Sequence, residues 1–491
     1  MKLLPLAALV LSVFTSGCMV GPDYKRPDAP VSPVFKELDG WKPAQPQDDA
    51  DKGAWWAIYH DPELDRLERM VEVSNQNVKS FEAQYRNAVA LVAEAQANLF
   101  PTAGLTAGVT RSGSGGSSLS SLAPKGQSSG GGGRNGTLYT VSGTVAWDPD
   151  VWGAVRRQIE SNAAGAQVSA ADLANAKLSA QATLATDYFD LRAEDALADL
   201  LRQTVAAYQR SLDITENQYR AGTSSSADVV TARAQLQSTE AQLVGVGVQR
   251  QQFEHAIAVL TGHAPAELTI VPAPLASTVP VLPPGLPSAL LERRPDIAGA
   301  ERQMQEENAL IGVQIAAYYP TISLSALGEF VGNPLSQLFT VANRVWSLGA
   351  SASETVFSAG ARSAAVAAAR ATYDQSVATY RQTVLSAFQQ VEDALSNLRI
   401  LEQQAAAEGL AVESARRAME VTLNGYRAGT VAYTSVIVQQ ALLLGDEQAA
   451  LAVQQSRLVA SVALIEALGG GWSTADLPGT DTVEKFNPFQ P

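Results

Sequence analysis

The side chains able to do covalent or metal chemistry are few and scattered. Histidine occurs only at 60, 255 and 263, and cysteine only at 18. His255 and His263 fall near the end of a helical segment and read as surface residues. There is no His-Glu-x-x-His pair, no nucleophile elbow on a strand-to-helix turn and no Walker sequence. A single cysteine leaves no intramolecular disulfide framework and no cysteine-based metal site. The Gly-rich run Gly130 to Gly133 is not followed by Gly-Lys-Ser/Thr and opens no helix, so it reads as a loop and not a phosphate cradle. The chain is therefore expected to be no enzyme, with no cofactor and no metal.

One covalent reaction remains. Lys2 precedes the apolar run Leu3 to Phe14, and Thr15-Ser16-Gly17-Cys18 follows. That is a short signal-peptide pattern, too short for a spanning helix. The small residues before Cys18 resemble a bacterial lipobox, in which the thiol is acylated and becomes the mature N-terminus. Residues 1–17 are thus expected to be a signal peptide, and 18–61 a lipidated, Pro-rich arm. Met19 after the cysteine, where an aspartate would retain the protein elsewhere, points to the outer membrane. An ordinary secretion signal with an incidental cysteine is the competing reading.

Composition narrows the rest. The chain has 491 residues, a formal net charge of −14 and only 17% charged residues, so it carries no nucleic-acid footprint. After residue 18 no apolar run approaches the roughly 20 residues a spanning helix needs, so any membrane crossing must be made of strands.

The elements that would position a site are duplicated. Tyr219-Arg220-Ala221-Gly222-Thr223 returns as Tyr426-Arg427-Ala428-Gly429-Thr430, each copy between two long Ala- and Gln-rich segments. Gly just past a helix end takes the left-handed conformation at little cost, and Thr223, Ser224 or Thr430 can cap the helix that follows. Each copy therefore reads as the bend of a helical hairpin. In the second hairpin Tyr373, Val377, Tyr380, Val384, Ala387, Val391, Ala394 and Leu398 step by four and three, and Ile437, Leu444, Leu451, Leu458 and Ile465 recur every seven. One helix is expected from Pro62 to about Leu99. Beyond Phe100-Pro101, Ala103, Leu105, Ala107 and Val109 alternate with Thr and Gly, and alternation resumes at Tyr139, Val141, Val145 and Trp147. The second half repeats this from Tyr319-Pro320-Thr321 through Ile322, Leu324, Ala326 and Phe330 to Trp346, Leu348, Ala350 and Ala352.

The expected organisation is a first repeat over 62–263 with a β-hairpin at 102–148 and a helical hairpin at 155–262. A Pro-rich linker spans 264–290. A second repeat covers 291–472, with a β-hairpin at 321–356 and a helical hairpin at 360–468, and a tail covers 473–491. Each strand has about 10 residues, the length of a tilted membrane strand, and four strands are too few to close a barrel of about eight or more. Open edges in lipid leave backbone groups unpaired at several kcal/mol each, so protomers must pool strands.

Several motifs carry a resemblance. Cys18-Met19-Val20-Gly21-Pro22-Asp23-Tyr24 followed by Pro27 and Pro30, Trp55-Trp56, and Asp61-Pro62-Glu63-Leu64 match the start of one family. Leu291-Glu292-Arg293-Arg294-Pro295-Asp296-Ile297 with Ala300-Glu301 matches the opening of its second repeat, and Leu468-Gly469-Gly470-Gly471-Trp472 its close. The chain resembles the TolC-like outer-membrane factors of resistance-nodulation-division efflux systems, in their NodT-type lipoprotein branch. The resemblance implies a mainly α fold with a small β part. Long coiled-coil hairpins would form an α-barrel, continued by four membrane strands per protomer as a twelve-stranded barrel in a homotrimer. It implies an efflux duct for drugs or other small molecules. Its partners would be outer-membrane lipid, a periplasmic adaptor (membrane fusion) protein and an inner-membrane resistance-nodulation-division transporter, with no nucleic acid. Cys18 would carry the lipid, and both Tyr-Arg-Ala-Gly-Thr bends would sit at the periplasmic tip where adaptors dock. By position Tyr426 and Asp228 match residues that hold such ducts closed. Relatives carry acids after the second bend where this chain has Ser435 and Val438, which points to an apolar constriction that gates by dewetting. A pore-less coiled-coil structural or adhesive lipoprotein is the alternative.

Overall fold

The computed structural model describes residues 19–29, 31, 34–37, 54–113, 136–280 and 290–486. The signal segment, Cys18 and residues 114–135 lie outside them.

Helix α1, Pro62–Ser74, opens on a strong local signal. Asp61 accepts hydrogen bonds from the amides of Glu63 and Leu64, and Pro62 supplies the preset φ of a first helical position. The single helix expected over 62–99 is in fact two. Asn75 is extended (φ −61°, ψ 123°); it ends α1 and caps α2, Gln76–Ala97, by accepting from the amides of Asn77 and Val78. Its amide nitrogen donates to the carbonyl of Leu260 at 2.8 Å. Asn side chains compete with the helix for backbone partners, and this distant carbonyl fixes the outcome.

Strands β1, Thr102–Ser112, and β2, Gly136–Trp147, precede helix α3, Ala154–Arg220, and helix α4, Ser226–Leu260. Helix α5, Pro295–Ala316, leads into β3, Thr321–Gly332, and β4, Arg344–Ser353. Helices α6, Ala361–Arg427, and α7, Tyr433–Ala467, complete the second half. Both α3 and α6 contain 67 residues, which at 1.5 Å per residue is about 100 Å. Each starts behind a left-handed glycine, Gly153 (φ 81°) and Gly360 (φ 86°). By length and hydropathy alone α7 could cross a bilayer. Asp446, Glu447 and Arg457 interrupt its apolar runs, and it packs instead along α6 and α3 as a hairpin arm.

The core is a series of layers along the hairpins. Leu64, Leu67 and Val71 of α1 meet Tyr188, Phe189 and Leu191 of α3, Ile257 of α4, and Leu458 and Val462 of α7, which knits the two halves at mid-height. Tyr380, Val384, Ala387, Val391, Ala394 and Leu398 of the α6 stripe are buried, while Tyr373 and Val377 are half-buried. The N-terminal arm runs beside these helices: buried Arg157 donates to the carbonyls of Val20 and Gly21 and pairs with Asp23 at 2.9 Å. Phe35 is buried against Val391, Leu395 and Leu464. The tail is also held. Val483 packs with Val92, Ala95 and Ile159, and Phe486 stacks on Phe100 with centroids 5.8 Å apart.

Candidate functional site: a two-faced sheet and two hairpin tips

The strands form one antiparallel sheet in the order β1-β2-β3-β4. Direct partners share a face, so the register sorts the side chains. Val145 pairs with Ala103 and Ala326, and Val141 with Ala107 and Phe330. Leu324 pairs with Trp147 and Ala350, and Ala326 with Leu348. One face is therefore apolar across all four strands, and nothing among the described residues covers it: Leu105 is 81% and Leu348 76% exposed. The opposite face carries Thr102, Thr106 and Thr110 of β1, Ser142 and Thr144 of β2, Ser323 and Ser325 of β3, and Ser347 and Ser351 of β4. Among the described residues, strands β1 and β4 each keep one unpaired edge. A sheet apolar on one side, hydroxyl-lined on the other and open at both edges is the wall of a larger water-filled barrel.

At the far end of the hairpins the two bends are built alike. Gly222 (φ 77°) and Gly429 (φ 74°) take the left-handed conformation. The amide of Thr223 donates to the carbonyl of Gln218, and that of Gly222 to Tyr219; Thr430 and Gly429 repeat this to Gly425 and Tyr426, all at 2.9–3.0 Å. These are the two bonds of the Schellman motif. The expected capping by Thr223 or Thr430 does not occur. Both hydroxyls turn back to donate to the carbonyls of Gln218 and Gly425 at 3.0 Å, closing the preceding helix. Arg220, Ala221, Arg427 and Ala428 are exposed around the turns.

The sequence of the outer membrane efflux protein family matches this chain at residues 69–263 and 286–470. The solvent efflux pump outer membrane protein SrpC of Pseudomonas putida is 31% identical, over 96% of this chain and 99% of its own. The probable efflux pump outer membrane protein TtgC of the same species is 29% identical over 95% of each chain. The solved outer-membrane channel OprN superposes with a TM-score of 0.84 at 29% identity, covering 93% of this chain and all of its own. The chain belongs to the outer membrane efflux protein family. It is an outer-membrane efflux channel and no enzyme.

The proposed gate residues of this efflux channel fall in two groups. Tyr426 is buried; its hydroxyl donates to Thr215 Oγ1 at 3.4 Å and its ring lies 5.1 Å from that of Tyr433. Asp228 does not join them within the chain. It is half-buried and sits in a capping box, accepting from the Ser225 amide at 3.0 Å and from the hydroxyls of Ser224 and Ser225 at 2.9 and 2.8 Å. Those bonds, the backbone one first, hold its carboxyl below the usual aspartate range. In the second bend Ala432 stands at the N-cap, no side chain caps α7, and Ser435 takes the place Asp228 has in α4. Ser435 is half-buried and Val438 is 53% exposed near the start of α7.

Sequence reasoning missed the polar layer beneath the tips. Gln440 of α7 donates to Ser211 Oγ of α3 at 3.1 Å, and Thr215 donates to the Ser211 carbonyl at 2.8 Å. Both helices bury these groups beside Tyr208 and Tyr433, whose phenols burial pushes upward. Ser211 and Thr215 stand one turn apart on an otherwise apolar face, a signal available in the sequence. It also missed the clamp on the linker. Asp195 accepts from Arg192, Arg250 and the Ala273 amide, while the two arginines donate to the carbonyls of Val271 and Ile270.

Proposed function

We propose that three copies pool their strands into a twelve-stranded barrel, continued inward by the helical hairpins as a single water-filled duct. The duct conducts drugs or other small molecules outward from an inner-membrane resistance-nodulation-division transporter, through a periplasmic adaptor protein. The observation that carries this reading is the open sheet with one apolar face. Four strands cannot seal themselves in lipid, and unpaired edges are prohibitively costly there. The hydroxyl face then becomes the lumen. Cys18 supplies an acyl anchor that adds to the membrane affinity of the barrel. The exposed Arg220 and Arg427 at the two bends are the docking points for the adaptor. The apolar side chain of Val438 lines the constriction.

Purified protein in planar bilayers tests the reading. The expected result is discrete conductance from a detergent-extracted trimer with an axial hole on low-resolution imaging. A compact monomer, or a rod without a hole, overturns it. A pore-less coiled-coil lipoprotein would have no use for the hydroxyl-lined strand face.

A further inference from the structure

The join between the two halves of the sheet has a second component just below the strands. After β2, the ring of Trp152 stacks on Tyr319 with centroids 4.8 Å apart and planes inclined by 23°. Its indole N–H donates to the carbonyl of Pro320 at 2.9 Å. Tyr319-Pro320 leads into β3, the strand that β2 pairs with. An aromatic after one strand thus clasps the aromatic-proline step before the next.

The duplication supplies the same parts at the outer edges of the sheet, where within one chain they do not meet each other. Phe100-Pro101 precedes β1 as Tyr319-Pro320 precedes β3. Val356 and Phe357 follow β4 at nearly the same distance as Val151 and Trp152 follow β2, although Ser358 and Ala359 separate Phe357 from the left-handed Gly360 whereas Trp152 directly precedes the left-handed Gly153. Phe357 is 83% and Val356 95% exposed. Phe100 rests one face on Phe486 of the tail and is still 49% exposed. Within one chain the two cannot meet, because β1 and β4 are separated by three strand spacings, about 14 Å. In a closed barrel the unpaired β4 edge meets the β1 edge of the next copy. Both strand ends on that seam then lie at the same level, because β1 begins and β4 ends at the helical side of the sheet.

We infer that Phe357 of each subunit stacks on Phe100 of the next, reproducing between chains the Trp152–Tyr319 clasp. Phe486 of that next subunit backs the ring from its other face. The tail is by this account part of the seam between subunits. A phenyl ring has no N–H, so the Pro101 carbonyl at the seam lacks the donor that Trp152 gives Pro320. The inference rests on the trimer proposed above.

The test is a cysteine pair, Phe357→Cys with Phe100→Cys, treated in membranes with a short bis-maleimide; acylated Cys18 is the only native cysteine. The double variant is expected to give covalent dimers and trimers in SDS, and each single variant none. Phe357→Ala should lower the temperature at which the trimer dissociates in SDS, and Phe357→Trp should raise it by restoring a donor. A trimer that does not crosslink, and whose dissociation temperature ignores both variants, overturns the clasp while leaving the channel reading intact. Strong quenching by brominated lipid of a fluorophore at position 357 of the trimer also overturns it, placing the ring in lipid. A monomer on sizing overturns both readings.

Discussion

Tyr219 and Tyr426 open the same five-residue motif, yet Tyr426 is 7% exposed and Tyr219 50%. Tyr426 closes over Thr215 and Tyr433, whereas Tyr219 lies outside the cluster of Tyr208, Leu212, Leu236 and Val436 that buries its counterpart. The two bends are one design placed in two environments.

Removing the Tyr426 hydroxyl should loosen the tip and leave the chain folded. A long 3.4 Å bond is worth no more than the lower end of about 0.5–1.5 kcal/mol. Tyr426→Phe is expected to raise the open fraction in single-channel records several-fold at most, and Tyr219→Phe to change nothing. Equal effects at both positions would contradict the assignment.

The first bend has a capping box and the second has none. Installing one with Ala432→Ser and Ser435→Asp should stabilise the start of α7 by about 1 kcal/mol, seen as slower amide exchange over 433–437 and longer closures. Asp228 shows the pH sense of such a cap. Its carboxyl is held below its ordinary value, so its contribution is present above the unfolded pKa and is lost as pH falls through the folded one. Amides at the start of α4 should therefore exchange faster, relative to the chain average, in acid below about pH 4, while those at the start of α7 show no such change.

Charge at the constriction is the third test. Val438→Asp is expected to raise cation selectivity in bilayer recordings, because a ring of carboxylates would replace the proposed apolar lining. Unchanged reversal potentials would move the constriction elsewhere.

The sheet faces make opposite forecasts. Leu105→Lys puts a charge on the lipid side at about 2–4 kcal/mol near the midplane, and should deplete trimers in the membrane fraction. Thr106→Lys, one residue on but facing the lumen, should insert normally and shift selectivity toward anions.

Glu68 offers a stability test far from both ends. It is fully buried, both carboxylate oxygens lack a partner among the described residues, and burial pushes its carboxyl up to about 9. A raised folded value stabilises most below the unfolded pKa, and that contribution is lost as pH rises toward 9. Thermal unfolding of the detergent-solubilised protein should therefore weaken from pH 5 to 9, and Glu68→Gln should flatten that slope. An identical slope in the variant would show that Glu68 finds a partner in the assembly.

Much of the architecture is local and was readable from the chain. The alternation at 103–109 and 322–330 is a strand wherever it occurs, because side chains alternate across a pleat. The paired glycines at 222 and 429 end helices because only a residue without a Cβ takes a positive φ freely. The register then gathers the alternating apolar residues of 103–109 and 322–330 on one face.

What the chain alone did not decide depends on neighbours distant in sequence. Asn75 breaks a helix that propensity would continue, because a carbonyl on α4 waits for its amide. Thr223 and Thr430 satisfy carbonyls behind them and leave the following helix to Ser225 or to nothing. The tail, unremarkable in composition, acquires a place because Val483 and Phe486 meet a groove and a ring built by residues more than three hundred positions earlier. Tyr219 and Tyr426 carry identical local instructions and part company on packing alone. Backbone dihedrals and side-chain period are set within a few residues, whereas burial is set by whichever surface the folded chain brings alongside.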